Sequence, residues 1–208
     1  EDDLTLLWQA ATELSGNPAI GLTLGEKPNL GELTSPAIMN LLSSKNVEDA
    51  QQKMFNIKHT SGLSHYIKLE QHEDGNKIIF HREGGKLPPS HQSFDGALAI
   101  LAFTTRFSTA EEISPLYVNF KKTEPKDIKP YQEFFKCQLN FNQDEYAIFY
   151  DKKALEMPLI FSNSEVLSHQ DSQQDQTTST DDENESFSKQ VKAYFQTVIS
   201  NGEPQIQG

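Results

Sequence analysis

The sequence predicts an α+β domain: amino-terminal helices, then a mainly antiparallel sheet in β-β-α-β-α-β-β order with helices packed on one face. Three observations predict it. Apolar residues recur at three- and four-residue spacing over the first sixty positions. The period then switches to two, with a turn sequence between the alternating runs. Two further helical patterns interrupt the later strands, as in sheets whose helices gather on one side.

The first helix carries the stripe Leu4, Leu7, Trp8, Ala11 and Leu14, expected to face the core, and closes at Gly16-Asn17-Pro18. Ser35-Pro36 reads as an N-cap followed by proline at the first helical position, opening a short helix to about Ser43. Asn46 caps the next, with Glu48 and Asp49 in its first turn and Val47, Ala50, Met54 and Ile57 on one face. Ile67 and Leu69 alternate with polar neighbours, Asp74-Gly75-Asn76 turns the chain, and Ile78-Ile79-Phe80 completes a hairpin.

After the loop 84–89, a helix from about Phe94 to Phe107 is apolar nearly all round, which marks an element packed on several sides. Leu116, Val118 and Phe120 alternate as a strand. Ile128, Tyr131, Phe134 and Phe135 fit a helix that tolerates Pro130 only near its start. Leu139 and Phe141, then residues 147–150, predict a second hairpin around residues 142–145.

The 208 residues, 36% hydrophobic and 10% aromatic, suffice for one sizeable core. The longest apolar run, residues 97–103, is far too short to span a bilayer. One cysteine, Cys137, leaves no internal disulfide, and a reducing, cytoplasmic setting is expected. The net charge of -12 argues against a nucleic-acid grip by this stretch. It is unevenly placed: residues 1–167 hold 23 acidic and 16 basic side chains, whereas 168–185 hold six acidic, no basic and no aliphatic or aromatic ones. Three units are therefore expected: a domain over 1–167, an acidic disordered linker over 168–185, and a helical opening of a second domain over 186–208, where Phe187, Val191, Tyr194, Phe195 and Val198 recur at helical spacing. Folding of that helix back on the first domain is the alternative.

Catalytic signatures are absent: no glycine-rich phosphate loop, no His-Glu-x-x-His, no Gly-x-Ser-x-Gly. The histidines (His59, His65, His72, His81, His91, His169) lack metal-ligand spacing, so no catalytic residue, metal or cofactor is assigned. Arginine is rare. Arg82 ends the second strand and Arg106 ends the apolar helix; each guanidinium suits a carboxylate, of a ligand or of the protein, while Arg106 suits still better the negative end of its own helix.

Several stretches resemble one family. Leu6-Leu7-Trp8 followed by Ser15-Gly16-Asn17-Pro18-Ala19-Ile20-Gly21-Leu22 is similar to the opening of the amino-terminal, arabinose-binding-type domain of AraC-type transcriptional regulators, with Asn17 where aspartate is common. Val118-Asn119-Phe120, Pro125, Tyr131 and residues 134–141 resemble its later strand-helix-strand segment, with Lys136 where glycine is usual. Leu155-Glu156-Met157-Pro158-Leu159 resembles its exit from the sheet.

The resemblance implies an α+β sensor of a small-molecule effector, whose identity it leaves open, controlling a carboxy-terminal helix-turn-helix domain of which 186–208 would be the first helix. DNA contact is implied for that missing part alone, with no membrane partner and with homodimerisation as a further expectation. The effector is expected between the 94–107 helix and the sheet, with Arg106, Arg82, Tyr66, Tyr117, Asn119 and Phe103 as candidate contacts. The rival reading is a dimerisation or protein-interaction domain without a ligand.

Overall fold

The computed structural model describes residues 2–26, 43–61, 67–81, 86–109, 111–160 and 162. Along the chain run α1 (Asp2–Ser15), a 3-10 turn (Ile20–Leu22), α2 (Thr23–Glu26), α3 (Val47–Ser61), β1 (Ile67–His72), β2 (Gly75–Phe80), α4 (His91–Thr109), β3 (Tyr117–Asn119), α5 (Lys129–Phe135), β4 (Gln138–Asn140), β5 (Tyr146–Asp151) and α6 (Lys152–Leu155). The class is α+β, as expected. The helix expected from Ser35, the 168–185 linker and the 186–208 segment lie outside the described residues.

The five strands form one sheet in the order β1-β2-β5-β3-β4. The first hairpin forms, with Ile67 opposite Phe80 and His72 opposite Gly75; its turn is residues 73–74, so Gly75 and Asn76, read as turn residues, belong to β2. The second does not: β5 pairs with β2 and β3, and β4 lies parallel to β3 on the far edge. The reason is α5, which connects β3 to β4 as a crossover and so delivers β4 in the same direction as β3. The slot beside β5 is filled by β3, whose Val118 lies opposite Ile148.

One sheet face carries Ile78, Phe80, Val118, Ile148 and Tyr150, all buried under the helices. Phe120, Tyr131, Phe135 and Phe141 extend this core; Phe120 stacks on Phe141 at 4.8 Å and meets Tyr131 edge-on at 5.6 Å. Leu116, expected inside with Val118 and Phe120, is instead 53% exposed, because β3 begins one residue later and the alternation starts there.

Local chemistry explains the helix boundaries. Asn46 Oδ1 accepts from the Asp49 amide (2.9 Å), and Asp49 Oδ2 accepts from the Lys45 amide (3.0 Å), a reciprocal cap that starts α3. Pro130 sits in the first turn of α5, where its missing N–H is harmless. Lys136 ends α5 in the left-handed region (φ 53°), so the family's usual glycine position keeps its turn with a lysine. Left-handed backbone costs a β-carbon residue about 1 kcal/mol relative to glycine. Lys136→Gly is therefore expected to raise unfolding stability by about 1 kcal/mol, read by urea denaturation. A loss of stability would show that the exposed Lys136–Glu112 pair (3.0 Å) outweighs the backbone strain.

The α1 stripe is corrected. Thr5 is the buried residue of α1, while Leu4, Leu7 and Leu14 are 45%, 64% and 90% exposed. Trp8, Ala11 and Thr12 are half-buried, so the helix is rotated to seat its Thr5–Trp8–Thr12 side on the domain.

The segment after α1 packs by backbone approach. Asn17 Oδ1 accepts from the Ala19 amide (2.9 Å), turning the chain as an aspartate would. Gln92 of α4 then clips the turn, accepting from the Gly21 amide (2.8 Å) and donating to Pro18 O (2.7 Å). A β-carbon on Gly21 would stand 2.4 Å from Gln92 O, and one on Gly25 2.7 Å from Ala99 O. Glycine at these positions lets 20–26 lie directly on the α4 backbone.

Candidate site at the amino-terminal end of the central helix

Pro88 and Pro89 hold the approach to α4 extended, and Ser90 starts the helix: its Oγ accepts from the Gln92 amide (3.2 Å) and its carbonyl from the Ser93 amide (3.1 Å). The first turns of α4 thus present His91, Phe94 and Asp95. Tyr146, first residue of β5, stacks on Phe94 with ring centroids 4.2 Å apart and 5° between planes. Its hydroxyl shares a hydrogen bond with His91 Nδ1. Burial pushes the His91 imidazole below its ordinary range, aided by the Lys122 charge, and burial pushes the Tyr146 hydroxyl up.

One turn below His91, Asp95 is fully buried. Lys122 Nζ pairs with Asp95 Oδ2, the Tyr131 hydroxyl donates to the same oxygen (2.7 Å), and Lys122 Nζ lies 2.6 Å from Tyr131 Oη. The ammonium also lies over the Tyr131 ring at 4.3 Å. Asp95 Oδ1 has no hydrogen-bond partner among the described residues. Burial raises the Asp95 carboxyl and lowers the Lys122 ammonium, each opposed by the other's charge. Both shifts favour neutrality; the contact is what keeps the two charges in place.

Beside this network opens a cleft of about 430 Å³. Ile79, Phe80 and His81 at the end of β2 form one wall, Pro88, Pro89, His91 and Phe94 a second, and Lys121 with Asp144, Glu145 and Tyr146 a third. The adjacent lysines divide the labour: Lys121 lines the cleft while Lys122 is held in the network. Glu145 is also fixed from the sheet side by Lys77 Nζ (3.1 Å). The cleft therefore offers aromatic surface with anionic and cationic groups at its rim, a form suited to a small polar ligand. A second space, between α3 and α4 and bordered by Gln51, Leu101 and Thr105, measures about 50 Å³. That is smaller than the space a benzene ring fills.

The sequence-derived candidates are spread over both faces of the sheet. Arg106 is half-buried, with Nη2 donating to Phe134 O (3.1 Å) and Nε to Ile113 O (3.4 Å), and it lies over the Phe134 ring at 5.9 Å. Phe103 stacks on Phe107 at 5.6 Å. Tyr117 and Asn119 lie on the face of the sheet opposite to Val118, as the alternation implied. Tyr117 stacks on Phe149 at 5.0 Å, and Asn119 Oδ1 accepts from Asn140 Nδ2 (3.0 Å). None of these four lines the 430 Å³ cleft. Arg82 and Tyr66 lie outside the described residues.

Sequence reasoning passed over His91, Asp95, Lys122, Tyr131 and Tyr146. One signal was available: Asp95 is a carboxylate in a helix otherwise apolar nearly all round, and such a group needs a cation. Cys137 is half-buried and its thiol is pushed up to about 12 by burial, so it is a packing residue at neutral pH. Among the described residues, no three His, Cys, Asp or Glu side chains are grouped to hold a metal ion, and no helix is long and apolar enough to cross a membrane.

The His91 shift has a pH consequence. With its folded pKa below the unfolded 6.5, its contribution to stability is present above pH 6.5 and is lost as pH falls through the folded value. Unfolding free energy should therefore decline below pH 6.5, and His91→Gln should remove that part of the slope. Identical slopes in parent and variant between pH 6.5 and 5 would sink the assignment.

Comparison with known proteins gives three findings. Residues 1–159 match the family described as the arabinose-binding domain of AraC transcription regulator, N-term. The chain is similar to the ornithine utilization regulator of Pseudomonas aeruginosa, 27% identical over 164 residues that cover 77% of this chain and 47% of that protein. The chain thus spans about half the length of this curated relative. It is also similar in fold to the solved transcriptional regulator CdpR from Pseudomonas aeruginosa, with a TM-score of 0.59 and 17% identity, covering 91% of this chain and 61% of that one.

Proposed function

Because the chain belongs to the arabinose-binding-type amino-terminal domain family of AraC transcription regulators, we propose that it senses a small-molecule effector in the cleft at the start of α4. Its occupancy would bias a DNA-binding domain carried by the same protein. The observation that carries this reading is the convergence of a 430 Å³ cleft with the displaced groups His91 and Tyr146 on its wall and the buried Asp95–Lys122–Tyr131 network behind it.

The rim chemistry narrows the ligand class. Asp144 and Glu145 suit an ammonium, Lys121 a carboxylate, and the Phe94–Tyr146 stack a short aliphatic stem. A small amino acid satisfies all three, and the ornithine in the relative's name is one, with a second ammonium for the second carboxylate. The family's arabinose label does not carry over, since a neutral sugar leaves these charges unanswered.

A ligand shifts regulation only by its preference for one conformation. The cleft has two mechanical outlets. The 86–89 loop that forms part of its wall donates its Lys86 and Leu87 amides to Asp2 Oδ1 (2.9 and 3.0 Å), and Gln92 holds the 18–21 turn. Ordering the loop or α4 therefore moves α1 and its following turn. The setting for such a protein is the cytoplasm, with DNA contacts made by the carboxy-terminal DNA-binding domain and none by residues 1–208.

Titration with ornithine, other amino acids and arabinose tests the proposal. A ligand at a hundredfold excess over its Kd should stabilise the chain by about 2.7 kcal/mol. Asp144→Asn and Lys121→Met should each weaken amino-acid binding about tenfold, and Tyr117→Ala should leave it unchanged. Loss of binding in the last alone would move the effector to the opposite face of the sheet. An unshifted melting curve across the panel would favour a ligand-free interaction domain.

A further inference from the structure

The Tyr146 ring is clamped against Phe94 and the residue is buried. Among the described residues its hydroxyl has one hydrogen-bond partner, His91 Nδ1. Burial pushes that hydroxyl up, so it keeps its proton at neutral pH. If the oxygen accepted from an Nδ1–H, the buried O–H would be left unmade and its desolvation uncompensated. The phenol therefore donates to Nδ1, and the one proton of the neutral imidazole sits on Nε2. Burial and the Lys122 charge hold the ring in that neutral form. Nε2 has no hydrogen-bond partner among the described residues, and His91 lines the 430 Å³ cleft.

An N–H fixed in this way on an aromatic wall suits an oxygen acceptor, and its surroundings favour an anionic one. Lys121 lines the same cleft, and His91 is the first residue of α4, whose positive dipole end adds to the attraction. We propose that His91 Nε2–H, together with Lys121, receives the carboxylate of an amino-acid ligand, and that Tyr146 is the positioning residue that keeps the proton on Nε2. The proposal rests on the reading of the cleft as the effector site, and it names the group that tells an amino acid from the corresponding amine. Asp144 and Glu145 attract the ammonium of either. Lys121 is a point charge on a flexible stem, with little directional preference. A rigid donor is different: an analogue that lacks the carboxylate leaves it unmet inside the cleft, and such sites reject that analogue strongly.

Two measurements on the full 208-residue chain test it. Long-range proton–nitrogen correlation spectra at pH 8 without ligand should show His91 protonated on Nε2 and bare on Nδ1, and Tyr146→Phe should turn that signal into a mixture of both tautomers. An Nδ1–H tautomer in the parent would overturn the proposal before any ligand is added. Calorimetry with ornithine and with putrescine, its decarboxylated amine, is the second. Asparagine at position 91 places an amide where Nδ1 stood and keeps the Tyr146 contact, whereas glutamine reaches the place of Nε2 and keeps a donor there. His91→Asn should therefore weaken ornithine binding about tenfold or more, the usual weight of a hydrogen bond to a charged group. His91→Gln should restore most of it, and the parent's preference for ornithine over putrescine should shrink in His91→Asn alone. Urea melts of each variant show that the fold is kept. Ornithine affinity left within about twofold by His91→Asn would overturn the proposal while the effector reading stands, as would equal losses in the asparagine and glutamine variants. Failure of ornithine and the other amino acids to bind a parent with the Nε2–H tautomer would instead sink the effector reading, and the proposal with it.

Discussion

Lys122→Met is expected to destabilise the domain by about 3–5 kcal/mol, the usual cost of leaving one buried charge without its partner. Asp95 is fully buried, and its Oδ1 already lacks a partner among the described residues. The methionine stem would fill the volume above the Tyr131 and Phe120 rings, so the loss measures charge rather than packing. Asp95→Asn combined with Lys122→Met should recover most of it. The pH response separates this mechanism from a general packing defect. Burial already raises the Asp95 carboxyl, and without Lys122 it rises further. A folded pKa above the unfolded one gives stability that grows as pH falls through the folded value. The single variant should therefore regain stability between pH 7 and 4, and the double variant should not. Urea titrations at pH 7 and pH 5 read both effects, and a cost under 1 kcal/mol at pH 7 would refute the ion-pair account.

Gly21→Ala is the second large effect, expected at about 2–3 kcal/mol through overpacking. Its new β-carbon would stand 2.4 Å from Gln92 O and 2.9 Å from Asp95 Cβ, so α4 must move or the 20–26 segment must lift away. The obstacle is helix backbone, which cannot rotate aside as a side chain would. Gly25→Ala meets Ala99 O at 2.7 Å and should cost a similar amount. Gly16 is a useful contrast: its φ is +62° but nothing lies within 4 Å of the added carbon, so Gly16→Ala should cost only about 1 kcal/mol of backbone strain. Equal losses for Gly16→Ala and Gly21→Ala in thermal melts would dismiss the close-approach explanation. A displaced α4 would also shift His91 and Phe94, so Gly21→Ala should impair the proposed ligand binding from outside the cleft.

Much of the fold was legible in the residues. Asn46 with Asp49 announces a helix start, Pro130 places another, and the 67–80 alternation gives a hairpin, whose turn the structure puts at residues 73–74 and whose register it sets. The stretch Asn17-Pro18-x-x-Gly21 signals a turn, and the structure supplies its reason in the α4 backbone against which Gly21 lies. The candidate cleft was less legible. Its walls come from residues 79–81, 88–94, 121 and 144–146, which no local pattern connects. Asp95, a carboxylate in an apolar helix, was an available signal that went unread, and nothing in the sequence pointed to Lys122 as its partner.

The chain by itself determined the helix and strand periods, the α+β class and the family, because these depend on neighbours within a few positions and on ordered short motifs. Only tertiary structure decided that β4 runs beside β3, that the leucines of α1 face outward, and that His91, Tyr146, Asp95 and Lys122 meet. Periodicity says that a face exists; which surface covers it depends on the crossover of α5 and the seating of 20–26 on α4. Such choices are settled by packing among residues far apart in sequence, where local spacing carries no information.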